Sequence, residues 1–540
     1  MDSKTFFDNF ESIANAPGGI ARLRELILDL AVHGKLSRKH TADKPISTLV
    51  SDLQNDLVPY GEMSEIRFNI PNHWTWLPLA SVVNHQLGKM LNTSKMKGIE
   101  RPYLRSVNVR QDGNIDLTDV KRMLIPEPEL VKYDVRLGDI FVNEGGDVGR
   151  NAIWLIQSDQ EFAFQNQLHR LRPVCGVESR YVQFVLRHAK SSGVIAAMSS
   201  GVTIQHFSAS AIRKLAFPLP PVEEQKRIVT KVDELMALCD ELEAAHQKRN
   251  SIRTAARKSA IDAISTASTA EELDVAWKRI SNNWITIADT PESISSLRSL
   301  ILGLAVRGSL DSSEVGAHQV PINVDLEKLK LDEDKLWKLS TALPEPAQGW
   351  SRVPMARLGQ WGSGGTPTAS RKEYYSNGTI PWAVIGDLNS SVMLTTESLI
   401  TQKALEASST KMIPIGAVLV AMYGASIGKS AISGIECCTN QAIAHCVVDE
   451  DVITSDYLFL VIKSLKDHLI EMGKGAAQPN ISQSVLKHLV IDIPPLSVQK
   501  RVIERTDELL DLCNQIETSL VAKNILEEAI AKTLTRRIAA

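Results

Sequence analysis

The sequence predicts an α+β protein: two mixed α/β domains separated by two long antiparallel helices that form a short coiled coil, related by an internal pseudo-two-fold repeat. Three observations predict this. LRELILDLAVHGKL (Leu23 to Leu36) returns 274 residues later as LRSLILGLAVRGSL (Leu297 to Leu310). PPVEEQKRIVTKVDELMALCDELE (Pro220 to Glu243) returns at the same offset as PPLSVQKRVIERTDELLDLCNQIE (Pro494 to Glu517), identical at 11 of 24 positions. Between the repeated words lie β-branched and apolar runs broken by Gly and Asn turns, the pattern of short strands. A duplicated chain suits a pseudo-symmetric ligand, of which duplex DNA is the commonest.

The repeat divides the chain into a helical segment at 1–40, a strand-rich domain at 71–221, a central long helix with a second short helix at 222–310, a second strand-rich domain at 346–494, and a C-terminal long helix at 495–540. In the first short helix Leu23, Leu26, Ile27 and Leu30 form one apolar stripe, and Gly34 is its C-cap. Leu297, Leu300, Ile301 and Leu304 form the twin stripe, closed by Gly308. These helices either dock on their own domains or contact other subunits. Polar linkers broken by Pro45, Pro59, Pro344 and Pro346 follow, and each strand-rich domain then opens on a tryptophan, Trp74 or Trp350.

Pro220-Pro221 and Pro494-Pro495 end the domains, since proline interrupts a strand ladder yet suits a helix start. The long helices are expected over Val222 to Ala267 and Leu496 to Ile538. Their stripes, Ile228, Val232, Leu235, Cys239, Leu242 and Val502, Thr506, Leu509, Cys513, Ile516, alternate fours and threes for about three heptads. At ~1.5 Å per residue each helix is a strut on the order of 65 Å, which makes the pair a ruler.

An apolar fraction of 44% and a charged fraction of 23% place the chain among ordinary globular proteins. No apolar run approaches the roughly 20 residues of a membrane span, the N-terminus lacks a signal-peptide profile, and six cysteines make no disulfide framework. The expected address is cytoplasmic, without a membrane partner. The net charge of −3 does not advertise nucleic-acid binding. Its distribution is uneven: Pro71 to Phe217 holds 18 Lys or Arg against 13 Asp or Glu, whereas Trp350 to Val490 holds 11 of each. If DNA is the ligand, partner proteins supply some phosphate contacts.

The repeated words match those of a known family. The chain resembles the specificity subunit of type I restriction-modification systems. The resemblance rests on the duplicated segments at 217–235 and 491–509, and in the second domain on GSGGTPT (Gly362 to Thr368), IPWAVIGDL (Ile380 to Leu388), YGASIGKSAI (Tyr423 to Ile432), Asn440-Gln441 and QPNIS (Gln478 to Ser482). In the first domain PYLRSVNV (Pro102 to Val109), GGDVGRNAI (Gly145 to Ile153), Asn166-Gln167 and VTIQHFS (Val202 to Ser208) stand in their places. The resemblance implies two target-recognition domains, each reading one half of a split target in double-stranded DNA. It also implies a non-catalytic scaffold for two adenine methyltransferase subunits and, through them, a translocase-endonuclease subunit. No cofactor is expected in this chain; S-adenosylmethionine, ATP and Mg belong to the partners.

Three groups of residues resemble catalytic or metal-binding motifs. Gly424, Gly428, Lys429 and Ser430 are one residue short of a phosphate loop, and the first copy ends in Arg150-Asn151. Glu224-Gln225-Lys226 resembles a nuclease triplet, but its repeat partner is Val498-Gln499-Lys500. Cys437, Cys438, His445 and Cys446 are zinc-ligand types without the usual CxxC clamp, and alternating apolar residues suggest a core strand. No metal site is expected. A self-contained DNA-modifying enzyme and a protein-only coiled-coil adaptor remain the alternative functions.

Base reading calls for paired donors and acceptors, and phosphate positioning for Lys, Arg, hydroxyls and exposed amides. The candidates are Lys89, Lys95, Arg101, Arg105, Asn108, Arg110, Arg150, Asn151 and Gln205 in the first domain. In the second they are Thr366, Thr368, Arg371, Lys372, Tyr375, Lys429, Lys474, Gln478 and Asn480. Tyr374 and Tyr375 have the alternative of plain core aromatics.

Overall fold

A computed structural model describes residues 3–56, 62–91, 98–174, 176–201, 205–266, 270–283, 287–310, 324–340, 346–474 and 479–539. They form two compact units, Met1–Arg249 with Lys523–Ala540, and Asn250–Ala522. The long helices span Val222–Thr266 and Leu496–Ala539, so each unit contains the start of one long helix and the end of the other.

In the first unit the domain is closed by Thr75–Pro78 pairing antiparallel with Ala216–Leu219, which delivers the chain to Pro220-Pro221 and the long helix. Between them, Val83–Leu87, Leu168–Pro173, Ile140–Asn143 and Asn151–Ile153 form an antiparallel four-stranded sheet in that order. A smaller sheet places Ile99–Leu104 between Lys121–Ile125 and the parallel Ala163–Phe164. Helix Ser179–Ser191 contributes Tyr181, Val182, Phe184, Val185 and Leu186 to the core.

The second unit repeats the plan. Ser351–Pro354 pairs with Val490–Ile493, and Arg352 grips Asp492 across the register at 2.7 Å. Its main sheet runs Gly359–Ser363, Ile443–Val448, Val418–Ala421, Ser430–Ser433, Val392–Met393, and its small sheet runs Leu399–Ile400, Ile380–Ala383, Cys438–Thr439. The extra strand Val392–Met393 and the longer helix Ser455–Gly473 are the main additions.

Both short helices, Gly19–Val32 and Pro291–Val306, dock within their own units. Leu23, Leu26, Ile27 and Leu30 are buried in one cluster with Ile228, Val232, Leu235 and Cys239, joined by Ala531 and Ile538 of the C-terminal helix. Leu297, Leu300, Ile301 and Leu304 share a cluster with Ala260, Ile264 and Cys513. The heptad stripe therefore packs on the short helix as well as on the other long helix. Fully burying each such Leu or Ile is worth about 1.5–3 kcal/mol. Docking on its own unit, one of the two roles open to the short helix, is thus seen in both copies. Among the described residues, no helix is long and apolar enough to cross a membrane.

Candidate nucleic-acid interface

In the first domain, backbone pairing gathers the candidate loops at one end of the sheets. Lys89 N donates to Phe164 O at 2.9 Å, Glu144 N to Gln167 O at 3.0 Å, and Phe207 N to Glu144 O at 2.8 Å. Arg150 reaches across to Ser106 O at 2.9 Å. This brings together Lys89, Arg105, Arg150, Gln167 and the exposed Gln205 loop. In the second domain Gly424 N donates to Pro479 O at 2.9 Å, Met422 N to Ala442 O at 2.9 Å, and Gly365 N to Thr439 O at 2.9 Å. Exposed Thr366, Thr368, Arg371, Lys372, Lys474 and Asn480 all lie in this domain. Lys95 and Gln478 lie outside the described residues.

The electrostatics differ from the count along the sequence. Lys89 is held by Glu129 at 2.5 Å, Arg105 by Asp119 at 2.6 Å, Arg110 by Asp116 at 2.8 Å and Arg150 by Asp147 at 3.6 Å, while Arg101 pairs with Glu161. Each candidate cation described in that domain thus has a carboxylate of its own. Binding a phosphate there means exchanging one anion for another, which removes much of the gain.

Two candidates in the first domain are corrected outright. Asn108 is 2% exposed, donates to Asp116 O at 2.8 Å and Asp119 O at 3.0 Å, and accepts from Arg105 N at 2.8 Å. Asn151 is 4% exposed and donates to Gly149 O at 3.0 Å. Both hold loop backbone, and neither presents its amide to a ligand. In the second domain Tyr375 donates to Pro367 O at 2.6 Å and packs edge-on against Trp382, the core-aromatic alternative. Arg371 lies over the Tyr374 ring at 5.5 Å, and Lys429 donates to Asn389 Oδ1 at 2.7 Å.

The residues resembling catalytic motifs have structural explanations. The turn with Gly424 and Gly428 links strands Val418–Ala421 and Ser430–Ser433 in a hairpin, so it lacks the following helix whose N-terminus makes a phosphate loop work. Gly428 has φ +77°, and a Cβ there would lie 3.1 Å from the Lys466 Cα. Cys437, Cys438 and Cys446 are buried in three different apolar clusters, and among the described residues they belong to no group of three metal-donor side chains within reach of one another. Burial pushes the Cys446 thiol up to about 12 and the His445 imidazole down to about 4. Glu224 is fully buried and accepts from Ser37 Oγ at 2.7 Å, His73 Nε2 at 2.8 Å and Trp74 Nε1 at 3.1 Å. It ties the linker and the domain entrance to the first turn of the long helix.

Asp29, His33 and His188 are metal-donor types within reach of one another. His33 Nδ1 already lies 2.8 Å from the Asp29 carbonyl, as in an ordinary i, i+4 helix contact, and Asp29 Oδ1 lies 3.1 Å from His188 Nε2. With Phe68 stacked on His33, the group fastens the short helix to helix Ser179–Ser191. Sequence reasoning missed this cluster, and it missed Gln225 and Gln499 as well. Gln225 was visible as a repeated letter without a role.

Two copies of one loop-bearing domain, each followed by its own long helix, define a tandem recognition protein. The profile of the type I restriction modification DNA specificity domain matches residues 71–253 and 348–524. The EcoEI and EcoAI type I restriction enzyme specificity subunits of Escherichia coli are each 23% identical to the chain, over 96% of it and 93% of either relative. A crystal structure of the HsdS subunit from Thermoanaerobacter tengcongensis gives a TM-score of 0.45 at 17% identity, covering 88% of this chain and 99% of that one. The chain belongs to the type I restriction-modification specificity-subunit family. A subunit of this kind is the non-catalytic, DNA-recognising member of a complex with the other subunits of its system.

Proposed function

We propose that each domain reads one block of a two-block DNA target through its converging loops, and that the helical scaffold docks two methyltransferase subunits. Through them it recruits a translocase-endonuclease subunit. S-adenosylmethionine, ATP and Mg are then held by those partners. The observation supporting this reading is the same loop constellation built twice on one topology, with different residues at its tips. Arg371, Lys372, Thr366 and Thr368 in the second domain, and Arg150, Arg105, Lys89 and Gln205 in the first, supply the polar contacts. The carboxylate partners of the first domain's cations keep phosphate affinity low and make it depend on the assembled complex.

Co-expression with the neighbouring methyltransferase, followed by mapping of methylated adenines, tests the proposal. Two short blocks separated by an unread spacer are expected, and exchanging residues 71–221 for those of another family member changes one block only. A methylation pattern indifferent to that exchange defeats the proposal in favour of an adaptor. Methyl transfer by this chain alone would do so in favour of a self-contained enzyme.

A further inference from the structure

Charge counted along the sequence favours the first domain for DNA, but charge placed by the fold favours the second. Trp350 to Val490 holds as many acids as bases, yet the fold keeps a block of the acids away from the converging loops. Gly359 pairs with Val448 and Ser363 with Ala444, so Asp449 lies at one end of these strands and the Gly365 turn at the other. Asp449 N donates to Leu358 O at 2.8 Å, and Ser455 Oγ donates to Gly416 O at 2.6 Å. These bonds hold Asp449, Glu450, Asp451 and Asp456 at the end remote from the loops, where Arg357 meets Asp449 at 2.8 Å.

Cations ring the loop end. Arg371 N donates to Thr368 O at 3.0 Å, which sets Arg371 and Lys372 beside the turn at 366–368. Lys411 follows Thr410, whose Oγ1 donates to Gly365 O at 2.8 Å. Lys429 leaves the hairpin turn and donates to Ile385 O at 3.4 Å and Asn389 Oδ1 at 2.7 Å. Lys474 follows Gly473, on which a Cβ would lie 3.7 Å from Asn480 N. Lys429 is half-buried and the other four are exposed. Among the described residues, none of these cations has a carboxylate within ion-pairing distance. Glu373, next to Lys372 in sequence, lies 3.8 Å from Lys403 instead. The two oxygens of Asp387 accept from Val384 N and Glu397 N.

The first domain is built the other way. Lys89, Arg101, Arg105, Arg110 and Arg150 meet Glu129, Glu161, Asp119, Asp116 and Asp147 among the loops themselves. A phosphate arriving there competes with a carboxylate already in place. At the second domain it meets uncompensated cations and releases only counterions from the DNA, the step that drives phosphate binding. We infer that the second domain is the electrostatic anchor on DNA, with Arg371, Lys372, Lys411, Lys429 and Lys474 on backbone phosphates. The first domain's loop cations keep their own carboxylates and add little phosphate affinity. This inference rests on the two-block reading and divides the labour between its two readers.

The test uses the complex assembled with its methyltransferase and a duplex carrying the two blocks identified by its wild-type methylome. Affinity is measured from about 50 to about 200 mM salt. Lys372→Ala, Lys411→Ala and Lys474→Ala should each lower the slope of log affinity against log salt by about 0.9. The loss should be the same on a duplex with scrambled blocks, because phosphates carry no sequence. In the first domain both members of an ion pair are removed, so that no acid is stranded: Lys89→Ala with Glu129→Ala, and Arg101→Ala with Glu161→Ala. These double variants should change the slope by less than about 0.3. An unchanged methylation motif shows that each variant is folded, and exposure of the three lysines makes their removal safe for the fold. Slopes unchanged in most of the second-domain variants, or lowered as much by the first-domain pairs, overturn the inference. A wild-type complex that binds target and scrambled duplexes alike defeats the two-block reading instead, so the two failures are distinguishable.

Discussion

Gln225 Nε2 donates to the carbonyl of Pro220 at 2.9 Å, and both groups are buried at the start of the long helix. The same side chain accepts from Glu178 N at 2.9 Å, the residue preceding helix Ser179–Ser191. Gln499 repeats this with Pro494 O at 3.0 Å and Thr454 N at 2.9 Å. The glutamine of the repeated PP-x3-Q word thus welds two helix starts together inside each unit. Gln225→Ala strands a buried backbone donor and acceptor, and should cost about 2–4 kcal/mol in urea unfolding. Gln499→Ala should cost about the same in the second unit. A loss under about 0.5 kcal/mol would show that water replaces the side chain.

Arg24 reaches Asp240 at 2.6 Å and Glu243 at 2.7 Å, and Arg298 reaches Asn514 at 2.7 Å and Glu517 at 2.6 Å. All these positions are related by the repeat offset, so docking the short helix on its long helix belongs to the duplicated unit. These groups are partly exposed, and exposed pairs contribute little individually. Arg24→Ala should lower stability by about 1 kcal/mol, less at high salt. A double-mutant cycle with Glu243→Ala should return a coupling of about 0.5 kcal/mol. Zero coupling would leave the apolar stripe alone responsible for docking.

The helices and their caps were legible because their signals are local: a stripe at i, i+3, i+4, i+7, a glycine at the stop, a Pro-Pro pair at the start. The duplication made the two-domain plan legible too. The interface was legible as loops and not as residues. Asn108 and Asn151 carry base-reading chemistry, yet the fold spends both on carbonyls of neighbouring turns. Lys89 and Arg101 look like a positive patch until Glu129 and Glu161, 40 and 60 residues away, are brought beside them. Charge counted along a segment cannot reveal such pairing, because only the tertiary fold decides which acid meets which base. Gln225 illustrates the same limit, since its partner amide is 47 residues upstream.

A buried histidine, His169, and its half-buried neighbour His85 set an acid limit on the first domain. His85 Nε2 and His169 Nδ1 lie 2.9 Å apart across paired strands. Burial lowers His85 to about 4 and His169 to about 3. The unfolded chain takes up these protons near pH 6.5 whereas the folded domain does not, so stability is full above that pH. It falls as the pH drops toward 4. From pH 7 to pH 5 each histidine should remove about 1–2 kcal/mol, with His445 acting likewise in the second domain. Urea midpoints measured across that range should fall, and should fall less in His169→Gln. A flat profile would mean that the folded pair takes up its protons over the same pH range as the unfolded chain.

The glycine that stops each short helix is a contact as well as a cap. Gly34 has φ +68° and Gly308 φ +76°, a region L-residues other than Asn and Asp rarely enter. Lys35 N donates to Leu30 O at 2.8 Å and Ser309 N to Leu304 O at 3.0 Å, closing both helices alike. A Cβ on Gly34 would lie 2.5 Å from Pro71 Cγ and 3.0 Å from the Trp74 ring. On Gly308 it would lie 2.6 Å from the Ala347 Cβ and 3.0 Å from the Trp350 ring. Gly18 provides the control, with φ +66° and nothing within 4 Å of its Cβ position. Gly18→Ala should cost only the backbone strain, about 1 kcal/mol. Gly34→Ala and Gly308→Ala should cost that plus displacement of the domain entrance, about 2–4 kcal/mol in all. Equal losses for all three in thermal or urea unfolding would show that the entrance tryptophans yield freely, and that the short helix does not fix the start of its domain.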